Sequence, residues 1–256
     1  MGKEYGIFDG ERIDPSMLSL SYLLNQPEPK YGHKHTPWGM WHTLEIHQER
    51  YRFVNSLGDL GQILDVACGT GYGERLIKSS NYVVGVDLSY DALVFGRGMG
   101  SGRQYAVNAN ATSLPFGNDT FDTVVSFETM EHIPLDQVPH YLSEVQRVLG
   151  NSGRFVVSVP NRVFNNPGTS IDGSPVNPYH FFEPTIEDFQ DLLSPHFQHI
   201  DYYYQTGKIF TPRNSVLGKM AKLPRVLQGR YARVNPLSDL NEGLEIPSTF
   251  IAVCRN

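Results

Sequence analysis

The stretch "DVACGTGYGE" at residues 65–74 follows the apolar run "GQIL" at residues 61–64. Its three glycines, Gly69, Gly71 and Gly73, stand at every second position, where the apolar run ends. Glycine adopts positive φ readily and lets a ligand lie against bare backbone. The stretch therefore predicts a tight ligand-binding loop between a buried strand and a helix.

Outward from this loop, apolar runs alternate with segments of helical period. The predicted strands are residues 62–67, 82–88, 103–109, 121–128, 153–160, 197–205 and 248–256. The predicted helices are residues 43–57, 72–80, 89–96, 135–149 and 185–193. Nearly continuous apolar strands that alternate with helices are typical of a parallel sheet covered on both faces. We expect an α/β, Rossmann-like doubly wound fold with a seven-stranded, mostly parallel sheet whose last strand is antiparallel.

The composition is that of a soluble globular protein: 256 residues, 40% hydrophobic, 19% charged and a formal net charge of −6. The chain has no apolar run near the roughly 18 residues that a membrane span needs. Its N-terminus lacks the apolar region of a secretory signal, and two cysteines make no disulfide framework. We therefore predict a cytoplasmic location, and the negative charge argues against nonspecific coating of nucleic acid.

Two segments stand apart from the alternating pattern. Residues 1–43 are predicted to form an N-terminal cap or lid, and residues 44–256 a single α/β domain with a basic lid insertion at about 206–247. Residues 202–238 contain no Asp or Glu but seven basic residues, namely Lys208, Arg213, Lys219, Lys222, Arg225, Arg230 and Arg233. This charge pattern fits a solvated surface insertion or a cover that meets an anionic substrate.

Two further motifs follow the second and third predicted strands. Asp87 ends the second strand, 22 residues after Asp65, where a carboxylate can accept hydrogen bonds from a ribose diol. The alternative role, capping of the next helix, has a nearer candidate in Ser89. The segment "NANATSLPFGNDTFD" at residues 108–122 follows the third strand and is expected to line the side of an adenine.

Together these motifs resemble those of the class I S-adenosylmethionine-dependent methyltransferases, over roughly residues 44–205. "LDVACGTGYG" resembles the first motif of that family, "GVDLS" the acidic second, and "LPFGNDTFDTVVSFETMEHI" the third and fourth. The resemblance implies S-adenosylmethionine as the cofactor. The family more often has Asp where this chain has Asn110. The implied cofactor-binding residues are Arg50, Asp65, Ala67, Gly69, Gly71, Asp87, Leu88, Asn110, Ala111 and Phe127.

The segment "ETMEH" ends the fourth predicted strand and carries a candidate metal site. Glu128, Glu131 and His132 stand at i, i+3 and i+4, so one helical turn would place them on one face. His180 in "NPYHFFEPT" is the fourth candidate. Two carboxylates and two imidazoles suit Mg²⁺, Mn²⁺, Fe²⁺ or Zn²⁺.

This layout resembles two groups of metal-dependent methyltransferases: ubiquinone-biosynthesis O-methyltransferases and enzymes that methylate the 3′-terminal ribose of small RNAs. Side chains at these positions also line the cofactor pocket in many relatives that bind no metal. Without a metal, His132 or His180 is the candidate general base, because an oxygen nucleophile must lose its proton.

Several other segments resemble one bacterial branch of the family, associated with surface polysaccharides and modified sugars. They include "IHQERYRFV", "SVPNR" and "NPYHFFEPTIEDFQDLLSPHF". The resemblance implies a hydroxyl acceptor on a small sugar-like or anionic molecule, such as a sugar nucleotide or a glycan, in polysaccharide or natural-product biosynthesis. It also implies that Arg50 covers the cofactor's carboxylate.

We therefore predict an S-adenosylmethionine-dependent O-methyltransferase, with or without a divalent metal. The first alternative is a 2′-O-methyltransferase of a 3′-terminal RNA ribose, which is less favoured because the chain shows no RNA-binding module and no aromatic platform. The second alternative is a non-catalytic scaffold that keeps the cofactor-binding fold. An oligomeric assembly is compatible with the sequence.

Overall fold

The computed structural model describes residues 37–78, 82–98, 105–206, 234–240 and 246–256, with only the backbone of residues 37–43. Its centre is an eight-stranded sheet with the order β3-β2-β1-β4-β5-β8-β6-β7. The strands are β1 (Gln62–Val66), β2 (Tyr82–Asp87), β3 (Ala106–Asn108), β4 (Phe121–Phe127), β5 (Leu149–Pro160), β6 (His199–Gln205), β7 (Asn235–Pro236) and β8 (Thr249–Arg255).

Five α-helices accompany the sheet in the described part of the chain. They are α1 (Pro37–Ser56), α2 (Tyr90–Gly98), α3 (Val138–Val148), α4 (Arg162–Asn165) and α5 (Ile186–Leu193). The predicted helix at residues 135–149 begins three residues late as an α-helix, because Pro139 is tolerated only in the first turn. The start of α5 is fixed by a capping box between Thr185 and Asp188.

The strand order reverses between β1 and β4. From β1 the chain moves outward through β2 to β3 and then crosses back to add β4 on the other side of β1. All four pairings among β1 to β5 are parallel, so their carboxyl ends meet at one edge. Such a reversal opens a crevice at that edge, where doubly wound sheets bind ligands.

Alternate residues of the strands supply two apolar cores. Leu64, Val84 and Val124 face the core that α3 and α5 complete. Ile63, Val83 and Val125 face the other, which α1 covers with Tyr51 and Val54. The predicted α/β fold with both faces of the sheet buried is confirmed.

Two predictions about the elements need correction. The sheet has eight strands, not seven, because β7 pairs with β6 over two residues, Asn235 and Pro236, too few to leave an alternating pattern. The helix predicted at residues 72–80 is a single 3₁₀ turn, Gly73–Leu76, because the backbone turns extended at Ile77. The prediction that the last strand is antiparallel is confirmed, since β8 pairs antiparallel with β5 and β6.

The predicted lids fall mostly outside the described residues. These are residues 1–36 of the N-terminal segment and residues 207–233 and 241–245 of the basic insertion. Helix α1 begins at Pro37, inside the segment predicted as a lid. None of the described helices is both long enough and apolar enough to span a membrane.

Candidate active site at the carboxyl edge of the sheet

The glycine loop directly follows β1, and its backbone takes left-handed conformations. Ala67, Gly69 and Gly71 have φ values of 60°, 59° and 74°, which favour glycine. A Cβ atom built at Gly69 would meet nothing within 4 Å. The loop therefore presents bare backbone to open space, as its sequence predicts.

Asp87, at the end of β2, fastens this loop. Its Oδ2 accepts a hydrogen bond from the Gly69 N–H at 2.8 Å, and its Oδ1 accepts one from the Ser89 N–H at 2.7 Å. Ser89 caps α2 through a 3.2 Å bond from the Ala92 N–H to its hydroxyl. Asp87 is buried but lines the cavity described below, so its carboxylate joins the loop to the ligand space.

The loop is packed from both sides by residues that leave no room for a further side chain. A Cβ atom at Gly73 would come closer than 3.0 Å to the ring of Tyr51, and one at Gly96 in α2 equally close to the Thr70 carbonyl. The Tyr51 hydroxyl donates to Asp65 Oδ2 at 3.0 Å. Burial, followed by the nearby Glu74 carboxylate, raises the pKa of Asp65 well above its usual value.

Beside the loop lies a cavity of about 520 Å³ at the carboxyl ends of the strands, a volume typical of small-ligand sites. Seven of the ten predicted cofactor-binding residues line it: Ala67, Gly69, Asp87, Leu88, Asn110, Ala111 and Phe127. Asn110 closes a local turn there, since its Oδ1 accepts from the Thr112 N–H at 3.0 Å. Asp65 and Gly71 are not part of the cavity wall that the described residues form.

Arg50 is also absent from the described wall of the cavity. Its buried guanidinium connects α1 to the sheet through bonds to Gln205 Oε1 (2.8 Å) and Thr249 Oγ1 (3.1 Å). Its Nη1 lies 3.2 Å from Glu128 Oε1. In this structure Arg50 thus anchors a helix and a carboxylate, and the predicted contact with a cofactor carboxylate stays a prediction.

Glu128 follows β4 in a left-handed conformation, with φ at 50°, which is uncommon for a non-glycine residue. Its N–H donates to the Ser158 carbonyl, and the Ser158 hydroxyl donates to Glu128 Oε1 at 2.8 Å. With Arg50 at the same oxygen, the carboxylate is held on the side of β5. Glu128 lines the cavity but does not belong to the cluster of Glu131, His132 and His180.

Glu131, His132 and His180 form a cluster on the wall of the same cavity. One possible ligand atom from each lies within 4.8 Å of the others, and the two imidazole centroids are 4.9 Å apart. Glu131 and His132 belong to the 3₁₀ turn Met130–His132. The Phe181 N–H donates to the Glu131 carbonyl at 2.8 Å and so ties the His180 loop to this turn.

The Glu131 carboxyl is buried without compensation. It is fully inaccessible to solvent, and neither of its oxygens has a hydrogen-bond partner among the described residues. Burial, and next the Glu128 carboxylate, raise the pKa of Glu131 well above its usual value, while His180 opposes the shift. Since buried acids are normally paired or coordinate a metal, these three side chains fit a divalent cation.

The structure brings three of the four predicted metal ligands together, namely Glu131, His132 and His180. The prediction included Glu128 because it assumed a regular helical turn, whereas the left-handed backbone at Glu128 turns its side chain toward Ser158. The sequence predicts no role for His47, but this residue lines the cavity one turn before Tyr51. Burial and the Arg50 guanidinium lower the pKa of His47 to about 3. Its i, i+4 spacing from Tyr51 was the available signal.

Comparison with known proteins supports a class for this site. Residues 64–157 match the family model described as a methyltransferase domain. A probable S-adenosylmethionine-dependent methyltransferase of Mycobacterium tuberculosis is 33% identical over 148 residues, which are 57% of this chain and 52% of the relative. A demethylmenaquinone methyltransferase of Symbiobacterium thermophilum is 34% identical over 137 residues, covering 50% and 51%. The chain spans about half the length of these curated relatives.

Among solved structures, the fold is similar to that of an S-adenosylmethionine-dependent methyltransferase of Thermotoga maritima, described as a possible histamine N-methyltransferase. The TM-score is 0.57 at 17% identity, over 86% of this chain and 95% of the other. At this identity the likeness concerns the fold alone. Residues 64–157 thus match a methyltransferase domain model, a partial relative is a probable S-adenosylmethionine-dependent methyltransferase, and the fold agrees with both matches.

Proposed function

We propose that this chain transfers the methyl group of S-adenosylmethionine to a hydroxyl oxygen of a small acceptor, with a divalent metal held by Glu131, His132 and His180. The observation that carries the proposal is the position of this cluster on the wall of the same cavity that the glycine loop lines. A donor site and a proton-removing site therefore face a shared space.

The cofactor side of the cavity offers what the sulfonium ligand requires. The bare backbone at Gly69 faces open space, since a Cβ atom there would meet nothing within 4 Å. The Asp87 carboxylate lines the cavity and is the expected acceptor for the ribose hydroxyls, beside the two backbone N–H groups that already donate to it. Methyl transfer mainly needs alignment of an incoming lone pair opposite the sulfur, so these residues act by orientation.

The acceptor side has to remove a proton from the hydroxyl. A bound divalent ion supplies Lewis-acid chemistry, which lowers the pKa of a coordinated hydroxyl. Glu131 would be an anionic ligand whose burial cost the cation offsets, and the two imidazoles would complete the set. Without an ion, His132 and His180 supply a general base at the same position.

The predicted acceptor is a sugar-like or anionic molecule with a free hydroxyl. Apolar side chains also line the cavity next to the cluster, since Ile133 and Pro134 follow His132 in the sequence and form part of the wall. They favour an acceptor that combines its hydroxyl with an apolar part, and the relative named a demethylmenaquinone methyltransferase makes quinol-type acceptors a second set to test.

The test begins with calorimetry of the full chain and S-adenosylhomocysteine, for which we expect micromolar-range affinity. Transfer of radiolabelled methyl is then measured on nucleotide sugars, phenols, quinols and RNA with a 3′-terminal ribose. Chelator should abolish turnover, and added Mn²⁺ should restore it. No ligand binding at millimolar concentration would refute the whole proposal, whereas turnover indifferent to chelator would refute only the metal.

A pair of matched variants separates the metal from general loss of structure. Glu131→Gln should weaken Mn²⁺ binding at least about 10-fold while the affinity for S-adenosylhomocysteine stays unchanged. The control is Glu144→Gln on α3, whose carboxylate pairs with Arg147 at 2.7 Å away from the cavity. Equal Mn²⁺ affinities in the two variants would show that Glu131 is not a ligand.

A further inference from the structure

We propose that Glu183, together with Asn166 and Asn177, fixes His180 as a neutral imidazole with its proton on Nδ1, so that the lone pair of Nε2 is directed to the active-site cavity. This inference deepens the proposed function and rests on it for the use of that lone pair. Glu183 and the two asparagines are positioning residues, and the hydrogen bonds of the loop between α4 and α5 carry the argument.

Asn166 starts the chain of hydrogen bonds. Its Oδ1 accepts the Val176 N–H at 2.8 Å, which can only donate. The orientation of the amide is thereby fixed, and its Nδ2 must be the donor in the bond to Glu183 Oε2. Both residues are buried, so water does not substitute for either group.

Glu183 connects Asn166 to His180 through its two carboxylate oxygens. Its Oε2 accepts from Asn166, and its Oε1 lies 2.7 Å from His180 Nδ1. A carboxylate accepts only, so the imidazole donates at Nδ1. The carboxylate of Glu183 is almost fully buried, with 2% of its side chain exposed, which strengthens a hydrogen bond of this kind.

Asn177 determines the protonation of the second nitrogen of His180, Nε2, independently of Glu183. Its Oδ1 accepts the Tyr179 N–H at 3.0 Å, so its Nδ2 is again the donor, here toward His180 Nε2 at 2.9 Å. A proton on Nε2 would place two donors against each other. The imidazolium and the Nε2–H tautomer are both incompatible with this arrangement. The bond to Glu183 at Nδ1 and the bond from Asn177 at Nε2 therefore require the same tautomer of His180, with the proton on Nδ1.

The neighbouring His132 also carries its proton on Nδ1, but its acceptor is a backbone carbonyl. Its Nδ1 lies 3.2 Å from the Tyr179 carbonyl, which accepts only, so this ring also donates at Nδ1. The N–H and the carbonyl of Tyr179 thus serve both histidines, one through Asn177 and one directly. Metal ligation and proton abstraction both require an unprotonated nitrogen, and such outer partners commonly change metal affinity 10–100-fold.

The network also implies that a ligand at Nε2 must displace an amide. Asn177 lines the cavity beside His180, and its Nδ2 occupies the direction of the lone pair in the absence of a ligand. Removal of this amide leaves Glu183 in control of the tautomer while the lone pair becomes more accessible. Glu183 and Asn177 are therefore expected to affect metal binding in opposite directions.

The experiment measures the tautomer first, on metal-free full-length protein. Long-range ¹H–¹⁵N spectra of the imidazoles, with His180 assigned from its loss in His180→Gln, should show a protonated Nδ1 and an unprotonated Nε2. Glu183→Gln should remove this single-tautomer signature, because its amide nitrogen meets a donor from Asn166 or from His180. Glu183→Asp, which keeps the charge, should restore it in part, and Glu187→Gln at an exposed site four residues on should leave it unchanged.

Mn²⁺ titration of the same variants supplies the second readout. We expect affinity to fall 10–100-fold in Glu183→Gln and to stay equal or rise in Asn177→Ala. A proton on Nε2 of His180 in the parent protein, or a Glu183→Gln variant with unchanged tautomer, would overturn the inference. If the parent protein binds no Mn²⁺ but shows the expected tautomer and its loss in Glu183→Gln, the positioning role stands and the metal of the proposed function falls.

Discussion

The two walls of the cavity differ in how far folding alone completes them. On the cofactor wall, formed by the glycine loop and Asp87, both carboxylate oxygens accept backbone N–H groups. On the acceptor wall, formed by the turn Met130–His132 and residues 177–183, the Glu131 carboxyl is buried with no partner among the described residues. Among the described residues, the carboxylate of the first wall is satisfied by backbone N–H groups, whereas the carboxyl of the second wall has no hydrogen-bond partner.

This difference separates two kinds of functional residue. A group that is part of the backbone hydrogen-bond network supports stability and binding together, so its loss harms both. A buried group without a partner costs stability and is retained for function. Substitutions on the two walls should therefore change folding and binding in different proportions.

The largest effect is expected at Asp87. Asp87→Ala removes the acceptor of two backbone N–H groups and the predicted ribose contact, so affinity for S-adenosylhomocysteine should fall at least about 100-fold, or about 3 kcal/mol. Unfolding should also become easier. The control is Asp122→Ala at the other end of the sheet, where a carboxylate likewise accepts a backbone N–H, that of Gln62 at 2.8 Å.

Calorimetry and chemical denaturation of both variants measure the two quantities. Asp122→Ala should lower stability but leave affinity for the ligand unchanged. Equal losses of affinity in both variants would show that Asp87 acts only through general stability, and the cofactor wall would then lose its distinguishing property.

The next largest effect is expected from a helix residue that touches the loop. In α2, a Cβ atom at Gly96 would come within 3.0 Å of the Thr70 carbonyl, while one at Gly98 would meet nothing within 4 Å. Gly96→Ala should therefore shift the loop at a cost of about 1–3 kcal/mol and weaken S-adenosylhomocysteine binding about 10-fold. Gly98→Ala should leave binding unchanged and raise helix stability by up to about 1 kcal/mol. Similar binding in the two variants would contradict a close fit between α2 and the loop.

The sequence predicts the cofactor wall better than the acceptor wall for a physical reason. Gly69 and Asp87 follow neighbouring parallel strands, and the carboxyl ends of such strands meet, so strand assignment alone places them together. Gly96 is the last residue of the helix predicted at residues 89–96. Its packing role depends on how α2 lies on Thr70, which no local pattern encodes.

The acceptor wall depends on side chains that the chain brings together from distant positions. His180 reaches Glu131 because the loop between α4 and α5 folds back, and the bonds of Asn166 and Glu183 within that loop follow no period. A regular helical spacing predicted Glu128 in the cluster, but the left-handed backbone at this residue turns it toward Ser158. Spacing rules apply within regular elements and fail at the single residue where one element ends.

The smallest effect is the most informative about the acceptor wall. At pH 8 in chelator, Glu131→Gln should leave the free energy of unfolding unchanged or raise it by up to about 1 kcal/mol, because it removes an unpaired buried acid. Glu144→Gln should lower it by about 1 kcal/mol, since Glu144 Oε2 accepts the Leu114 N–H at 2.7 Å and Arg147 Nη2 donates to it at 2.9 Å. Mn²⁺ at 100 times the parent's dissociation constant should then stabilise the parent protein by about 2.7 kcal/mol, and the more weakly binding Glu131→Gln variant by at most about 1.4 kcal/mol. A loss of stability in Glu131→Gln as large as in Glu144→Gln would mean that the Glu131 carboxyl is already compensated by folding, and the contrast between the two walls would disappear.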